Sequence, residues 1–358
     1  MIAAVKALIL SGGRGTRLRP ITHTGAKQLV PIANKPILFY AIEAVVAAGI
    51  TDVGIITGET GAEVRQAVGD GSRFGATVTY IPQEAPLGLA HAVLTARPWL
   101  GDERFVMYLG DNLIRDGITD FVEEFDRLAP DAEILLAKVP EPQRFGVAEL
   151  REGAVTRLVE KPAVPPSDLA LVGVYLFSPL VFRAIERIEY SDRGELEITD
   201  AIQRMIDDGA HVLPHVITGW WKDTGRLEDM LEANRIILDT LTPRSDGQVA
   251  EDVRLEGKVV IEAGARLRSS RVRGPAIIGA EAVVEDSYIG PFTSIAAGCV
   301  IRGAEVEHSI VLERSVIEGV EGIIESSLIG KECVVRSSSS RPRAHRLMLG
   351  DHSRVELG

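Results

Sequence analysis

No acidic residue occurs before Glu43 in a chain that holds 51 Asp and Glu. Over that stretch lie Lys6, Arg14, Arg17, Arg19, Lys27 and Lys35, a concentrated positive field on a protein of formal net charge -12. The turn that carries it, Ser11-Gly12-Gly13-Arg14-Gly15-Thr16-Arg17, follows the apolar run Leu8-Ile9-Leu10. Glycines there let backbone N–H groups approach phosphate oxygens, and Arg17 offers a forked, charge-assisted contact, so the segment reads as a polyphosphate cradle. Alone, such a turn is equally a structural turn or part of a dinucleotide fold, and its spacing does not match a Walker-type P-loop. A second chemical position is Asp111, in Gly110-Asp111-Asn112 at the end of an apolar strand pattern that starts at Arg104. Strand carboxyl ends face the ligand crevice of an open α/β sheet, although an Asp there is more often a turn residue.

These residues need a scaffold, and the rest of the chain supplies its outline. With 358 residues and 46% hydrophobic content, two or three ordinary globular domains are expected. The acidic balance argues against general binding to nucleic acid or membrane surfaces. No stretch approaches the roughly 20 apolar residues of a membrane span, and a cytoplasmic location is expected. Cys299 and Cys333 are too few for a disulfide framework, show no zinc-ligand spacing, and read as packing residues. From residue 4 to about 240, short β-branched runs alternate with helical patterns, which predicts a Rossmann-like α/β domain with a mostly parallel sheet. Its first helix is marked by Ile37, Tyr40, Ala41, Ala44, Val45 and Ala48, starting after Pro36 and ending before Gly49.

The polar stretch 241–250 reads as a linker between this domain, 1–240, and a second one, 251–358. There the aliphatics Val311, Ile317, Ile323, Ile329 and Val335 recur every six residues, a period of neither helix nor ordinary strand. The pattern resembles the hexapeptide repeat of the left-handed parallel β-helix, with those aliphatics as one inward row and small residues at the corners. Arg266 to Pro275 and the Ser/Arg-rich stretch near residue 340 break the pattern and read as insertions or loops.

The glycine turn followed by Ala26-Lys27-Gln28-Leu29-Val30-Pro31 resembles the signature of sugar-1-phosphate nucleotidylyltransferases, and within them the long form of the glucose-1-phosphate thymidylyltransferases, which carry a C-terminal β-helix. The resemblance covers about residues 4–240 and implies nucleotide contacts from Gly12, Gly13, Gly15, Thr16, Arg17 and Gln28, with Gln83 and Gly88 at the base. A Gln amide offers a donor and an acceptor side by side, matching the O4 and N3–H edge of thymine or uracil. It further implies that Asp111 and Asp223 hold Mg2+ against the α-phosphate, that Glu160 accepts from sugar hydroxyls, and that Lys161 holds the sugar phosphate. Gly146 and Gly173 would let the sugar ring lie close to backbone. Trp221 is either core or a substrate wall. Phe145 departs from the family pattern, where Tyr is common.

What the resemblance implies is an in-line displacement: the sugar-phosphate oxygen attacks the α-phosphorus while Arg17 and Lys27 stabilise departing pyrophosphate and Lys161 aligns the nucleophile. Another base, a cyclitol or other sugar phosphate, or a second acyltransferase activity involving His308, His345 and His352 are the alternatives. Small-molecule substrates and a homo-oligomer are expected.

Overall fold

The computed structural model describes residues 5–13, 15–23, 25–337 and 347–356; Arg14 and His345 lie outside the described residues. Two compact units emerge, one containing Gly25–Leu29 and Ile37–Asp223 with the N-terminal strand, the other containing Val30–Pro36, the segment after Gly15 and the chain from Thr224.

The first unit is built on a nine-stranded sheet: β1 (Val5–Ser11), β2 (Asp52–Thr57), β3 (Thr77–Pro82), β4 (Arg104–Leu109), β5 (Ala132–Lys138), β6 (Gly146–Arg151), β7 (Ala154–Glu160), β8 (Leu169–Phe177) and β9 (Val212–Val216). Its order is β7-β6-β8-β4-β1-β2-β3, and β5 pairs with both β8 and β9. β1 runs parallel to β2 and β4, and β2 to β3, so the centre is parallel as expected. A strand buried on both faces carries a continuous apolar run, and β1 supplies one in Ala7-Leu8-Ile9-Leu10, between Lys6 and Ser11. Leu8 and Leu10 join Phe105 and Met107 on one face, beneath helices Leu89–Leu100 and Ile198–Asp207. Ala7 and Ile9 join Val106 and Tyr108 on the other, beneath helices Ile37–Ala47 and Thr119–Leu128. β8 and β7 run against the parallel rhythm, β8 antiparallel to β4, β5 and β6 and β7 antiparallel to β6, and the pairing of β8 with β5 slips between Leu171 and Tyr175, around Gly173.

The second unit contains the left-handed parallel β-helix, in three stacks of short parallel strands. Each inward aliphatic stands on the one a coil below: Ile261 on Ile278, Ile295 and Val311 along one face, Leu267 on Val284, Ile301 and Ile317 along the second, Val272 on Ile289, Val306 and Ile324 along the third. The six-residue period therefore steps around the three faces and does not make one row. It also slips at one place. The corner Gly319–Gly322 has two residues more than the corner Gly303-Ala304 beneath it, so Ile324 turns inward and Ile323, expected inside, is 53% exposed. Arg266–Arg268 and Arg271–Arg273 are regular strands with Leu267 and Val272 buried, so the expected insertion there is ordinary coil. On the outer surface Arg268, Glu285, Arg302, Glu318 and Arg336 alternate in sign from coil to coil, each within 3.2 Å of its neighbour.

The expected linker carries structure: Arg244–Ser245 and Gln248–Val249 pair with Val259–Ile261 and Arg266–Arg268, and so begin the first coil. Helix Leu227–Thr240, expected in the first domain, is clamped to the coil as well. Its buried Asn234 accepts from Ala33 N (2.9 Å) and Ser294 Oγ (2.7 Å) and donates to Phe292 O (3.1 Å), while Leu238 packs with Val260 and Ile277. Cys299 is buried and Cys333 half-buried, as packing residues would be. His308 sits at a corner near Phe292, and His352 stacks on His23. No helix among the described residues is long and apolar enough to cross a membrane.

Candidate active site

Parallel strands β1 and β4 end side by side, and their carboxyl ends carry Gly12-Gly13 and Asp111. A Cβ on Gly12 would stand 3.5 Å from Gln83 Oε1, and one on Gly13 3.5 Å from Gln28 Nε2, so the turn runs between the two glutamines expected at the nucleotide. Gln28 is buried and its Oε1 has no hydrogen-bond partner, an acceptor left open beside the glycines. Gln83 donates from Nε2 to Gly88 O (3.3 Å) and meets His91 Nδ1 at 2.9 Å, so its amide is shared with protein groups. Gly88 has φ 106°, and a side chain there would meet Leu196 N at 2.7 Å, which ties the loop carrying Gly88 to the segment before helix Ile198–Asp207.

Lys27 is the most buried cation of this region, 5% exposed, in a single tight turn Lys27–Leu29. Its Nζ pairs with Asp111 and lies 3.8 Å from Asp223 Oδ1. The second carboxylate arrives by register: Trp221–Asp223 pairs antiparallel with Asn112–Ile114, which sets Asp223 opposite Asn112. Two residues more than a hundred positions apart thus converge on one ammonium. Burial raises the Asp111 pKa, and the Lys27 charge with hydrogen bonds from Lys27 and Asn112 more than reverses that, so the carboxyl is held below its ordinary value. Asn112 donates to Asp111 Oδ1 (3.0 Å) and accepts from Trp221 Nε1 (2.6 Å), and the Trp221 ring meets Phe145 edge-on at 5.2 Å. Trp221 is a half-buried strut between Asn112 and Phe145, and the Phe145 ring offers no hydroxyl. Paired oxygen ligands that already share a cation have the hard-donor chemistry a divalent metal requires.

Glu160 ends β7 and Lys161 follows it. Glu160 meets Lys161 Nζ at 3.2 Å and Arg193 Nη2 at 3.4 Å, and accepts from Thr199 Oγ1 at 3.3 Å. Lys161 holds φ 41°, a left-handed conformation costly for lysine, with its N–H bonded to Phe145 O at 3.0 Å. The two glycines expected against the sugar have reasons inside the protein. A Cβ on Gly146 would stand 2.7 Å from Thr199 Cγ2, and one on Gly173, at φ 82°, 2.7 Å from Leu109 Cδ1. Glu160 and Lys161 open onto a cleft of about 910 Å3 with Arg151, Arg157, Arg193 and Asp200 on its wall; Asp111 and Asp223 are not part of it. Arg193 escaped the sequence reading because Ser191-Asp192-Arg193-Gly194 looks like any polar turn. Its one signal was Glu197 four residues on, which receives it at 2.7 Å.

Gly15, Thr16 and Arg17 belong to the second unit. Gly15 turns left-handed (φ 61°), its carbonyl accepts from Thr22 Oγ1 at 2.7 Å, and the Arg17 guanidinium lies against Gly225, where a Cβ would come within 2.9 Å of Nη2.

A buried ammonium shared by two carboxylates thus stands at the mouth of a parallel sheet, and the chain belongs to the nucleotidyl transferase family, which it matches over residues 6–240. It is 58% identical over 354 residues, 99% of each chain, to a glucose-1-phosphate thymidylyltransferase of Streptomyces griseus. It is 47% identical over 358 residues, 99% of this chain and 100% of the other, to a low-salt glycan biosynthesis nucleotidyltransferase of Haloferax volcanii. Among solved structures, a Bacillus anthracis protein described as a glucose-1-phosphate thymidylyltransferase, crystallised with sucrose, superposes with TM-score 0.63 at 36% identity, covering 67% of this chain and 98% of that one.

Proposed function

We propose that the protein transfers the thymidylyl group of dTTP to glucose 1-phosphate, releasing pyrophosphate and forming dTDP-glucose. The observation that carries the reading is the convergence of Asp111 and Asp223 on Lys27, in a chain similar over its whole length to a glucose-1-phosphate thymidylyltransferase. Asp111 and Asp223 would hold Mg2+, which supplies the charge neutralisation that lets two anionic substrates meet. Gln28 and Gln83 flank the glycine turn that receives the nucleotide, with Gly88 fixing the base loop. Lys161 holds the phosphate of the sugar 1-phosphate, and Glu160 accepts from its hydroxyls. A bond forms from the sugar-phosphate oxygen to the α-phosphorus as the bond to the β-phosphate oxygen breaks, and Arg17 and Lys27 take up the charge of the leaving pyrophosphate. No general base is needed, because a phosphate monoester is largely a dianion at neutral pH. The enzyme acts as a homo-oligomer in the cytoplasm.

Pyrophosphate release measured over a grid of dTTP, UTP, ATP, GTP and CTP against glucose 1-phosphate, other sugar 1-phosphates and a cyclitol phosphate tests this. The highest kcat/KM is expected for dTTP with glucose 1-phosphate. A different winning pair reassigns the substrates, and no release with any pair removes the activity.

A further inference from the structure

Away from these residues, the first unit holds a second group of charged side chains that the transfer reaction does not use. Helix Thr119–Leu128 carries Glu124, β5 carries Glu133 and β9 carries His215. β9 runs parallel to β5 with Leu213 opposite Glu133 and His215 opposite Leu135, which brings the imidazole beside the glutamate. His215 Nδ1 lies 2.6 Å from Glu124 Oε2 and 3.6 Å from Glu133 Oε1, and one ligand atom from each residue falls within 4.8 Å of the others. The Phe121 ring meets the imidazole edge-on at 5.4 Å and fixes its plane.

Glu133 is the telling member. It is 1% exposed, and neither carboxylate oxygen has a hydrogen-bond partner. A carboxylate buried in that state requires a cation or a proton. Two carboxylate oxygens and one imidazole nitrogen form a ligand set suited to borderline divalent ions. Donor atoms around a four-coordinate Zn2+ at roughly 2.0–2.1 Å sit roughly 3.3 Å apart, between the 2.6 and 3.6 Å seen here. Glu124 and His215 are part-exposed, which leaves a path for the ion and room for a water as fourth ligand.

We propose that Glu124, Glu133 and His215 form a second metal site, for a divalent transition ion such as Zn2+, that ties helix Thr119–Leu128 to β5 and β9. The site shares no residue with the nucleotide and sugar-phosphate positions and stands whether or not that substrate assignment holds. Its rival is a closed ion cluster in which protonated His215 itself is the cation.

Full-length protein, stripped with chelator and returned to neutral buffer, is titrated with ZnCl2 by calorimetry, with Co2+ absorption as a spectroscopic check. Binding at this site, release of protons, and a raised thermal midpoint are expected. Glu133→Gln and His215→Ala should abolish this uptake, and Glu124→Gln, on the accessible helix, should weaken it more than tenfold without disturbing the fold. Asp223→Asn should retain it, which separates it from the active-site carboxylates. No Zn2+ uptake by the wild type, or uptake unchanged in Glu124→Gln and His215→Ala, overturns the proposal in favour of the closed cluster.

Discussion

The sheet unit and the coil differ in what they bury besides hydrocarbon. Within the coil, Arg244–Arg336, the buried polar side chains are all hydroxyls: Ser270, Ser287, Thr293, Ser294, Ser309 and Ser315. Ser294 Oγ donates to the Asn234 side chain, and the others bond to backbone, as when Ser270 Oγ accepts from Ser287 N at 3.1 Å and Ser309 Oγ from Ser327 N at 3.0 Å. The sheet unit instead buries charge, in Lys27, Glu133 and Glu197. Left-handed residues mark corners and turns in both, as at Glu281, Arg314 and Glu332 in the coil and Ala129 and Glu152 in the sheet unit, where Lys161 and Gly173 also stand beside the proposed substrate positions. Burying a charge costs stability unless it is paired; the sheet unit carries that cost at Lys27, paired with Asp111 and near Asp223, and the coil Arg244–Arg336 carries none of it.

The largest expected effect is at the shared lysine. Asp223→Asn or Asp111→Asn should lower turnover by roughly three orders of magnitude, several kcal/mol of barrier, while circular dichroism stays unchanged. Folded variants that keep more than a tenth of wild-type activity would dissolve the contrast. In the coil the sensitive change runs the other way, toward introduced charge. Ile317→Asp, at a fully buried position, should unfold the coil at a cost on the order of 4 kcal/mol, and Ile323→Asp, at the slipped position, should stay within about 0.5 kcal/mol of wild type in denaturant melts. Equal losses at the two sites would mean that the slip is not present in solution.

A smaller effect separates the two substrates. Lys161→Ala should raise KM for glucose 1-phosphate about tenfold with less change for dTTP, and Arg17→Ala should do the reverse. Identical changes for both substrates would end the division of labour. The smallest effect is in pH. Because the folded pKa of Asp111 lies below its ordinary value of about 3.9, its pairing contributes stability fully above that value and loses it as pH falls through the lower folded value. The stability gap between wild type and Asp111→Asn should therefore narrow on acidification below about pH 4. A gap that widens there refutes the pairing.

Much of the first unit could be read from residue order, since burial on two faces leaves a plain record in runs such as Leu8-Ile9-Leu10, and the motifs around Lys27, Asp111 and Asp223 are contiguous. Arg193 could not be read so, because its role depends on β7 ending next to a turn distant in the chain. The coil's period was legible, but its phase was not: two extra residues at Gly319–Gly322 move the inward position from Ile323 to Ile324, and both candidates are isoleucine. The supposed linker failed for a related reason. Arg244 and Gln248 stand at outward places, in register with Val260 and Arg266, and of the inward places Ser245 and Val249, in register with Ile261 and Leu267, only Val249 is aliphatic, too little to set a six-residue pattern.

The alternation of Arg268, Glu285, Arg302, Glu318 and Arg336 gives the repeat a parity that its aliphatic interior lacks. Isoleucine and valine fill equivalent inward places in successive coils, so a strand docked one coil too high during folding would meet nearly the same greasy surface. On the outside, that error would set guanidinium on guanidinium and carboxylate on carboxylate. Only a slip of two coils restores the match, and that leaves a far longer unpaired excursion of chain to accommodate. The ladder adds little to the finished coil, since its members are open to water and screened by salt. Its consequence lies in the order of assembly, as a vernier that tells adjacent, chemically similar turns apart.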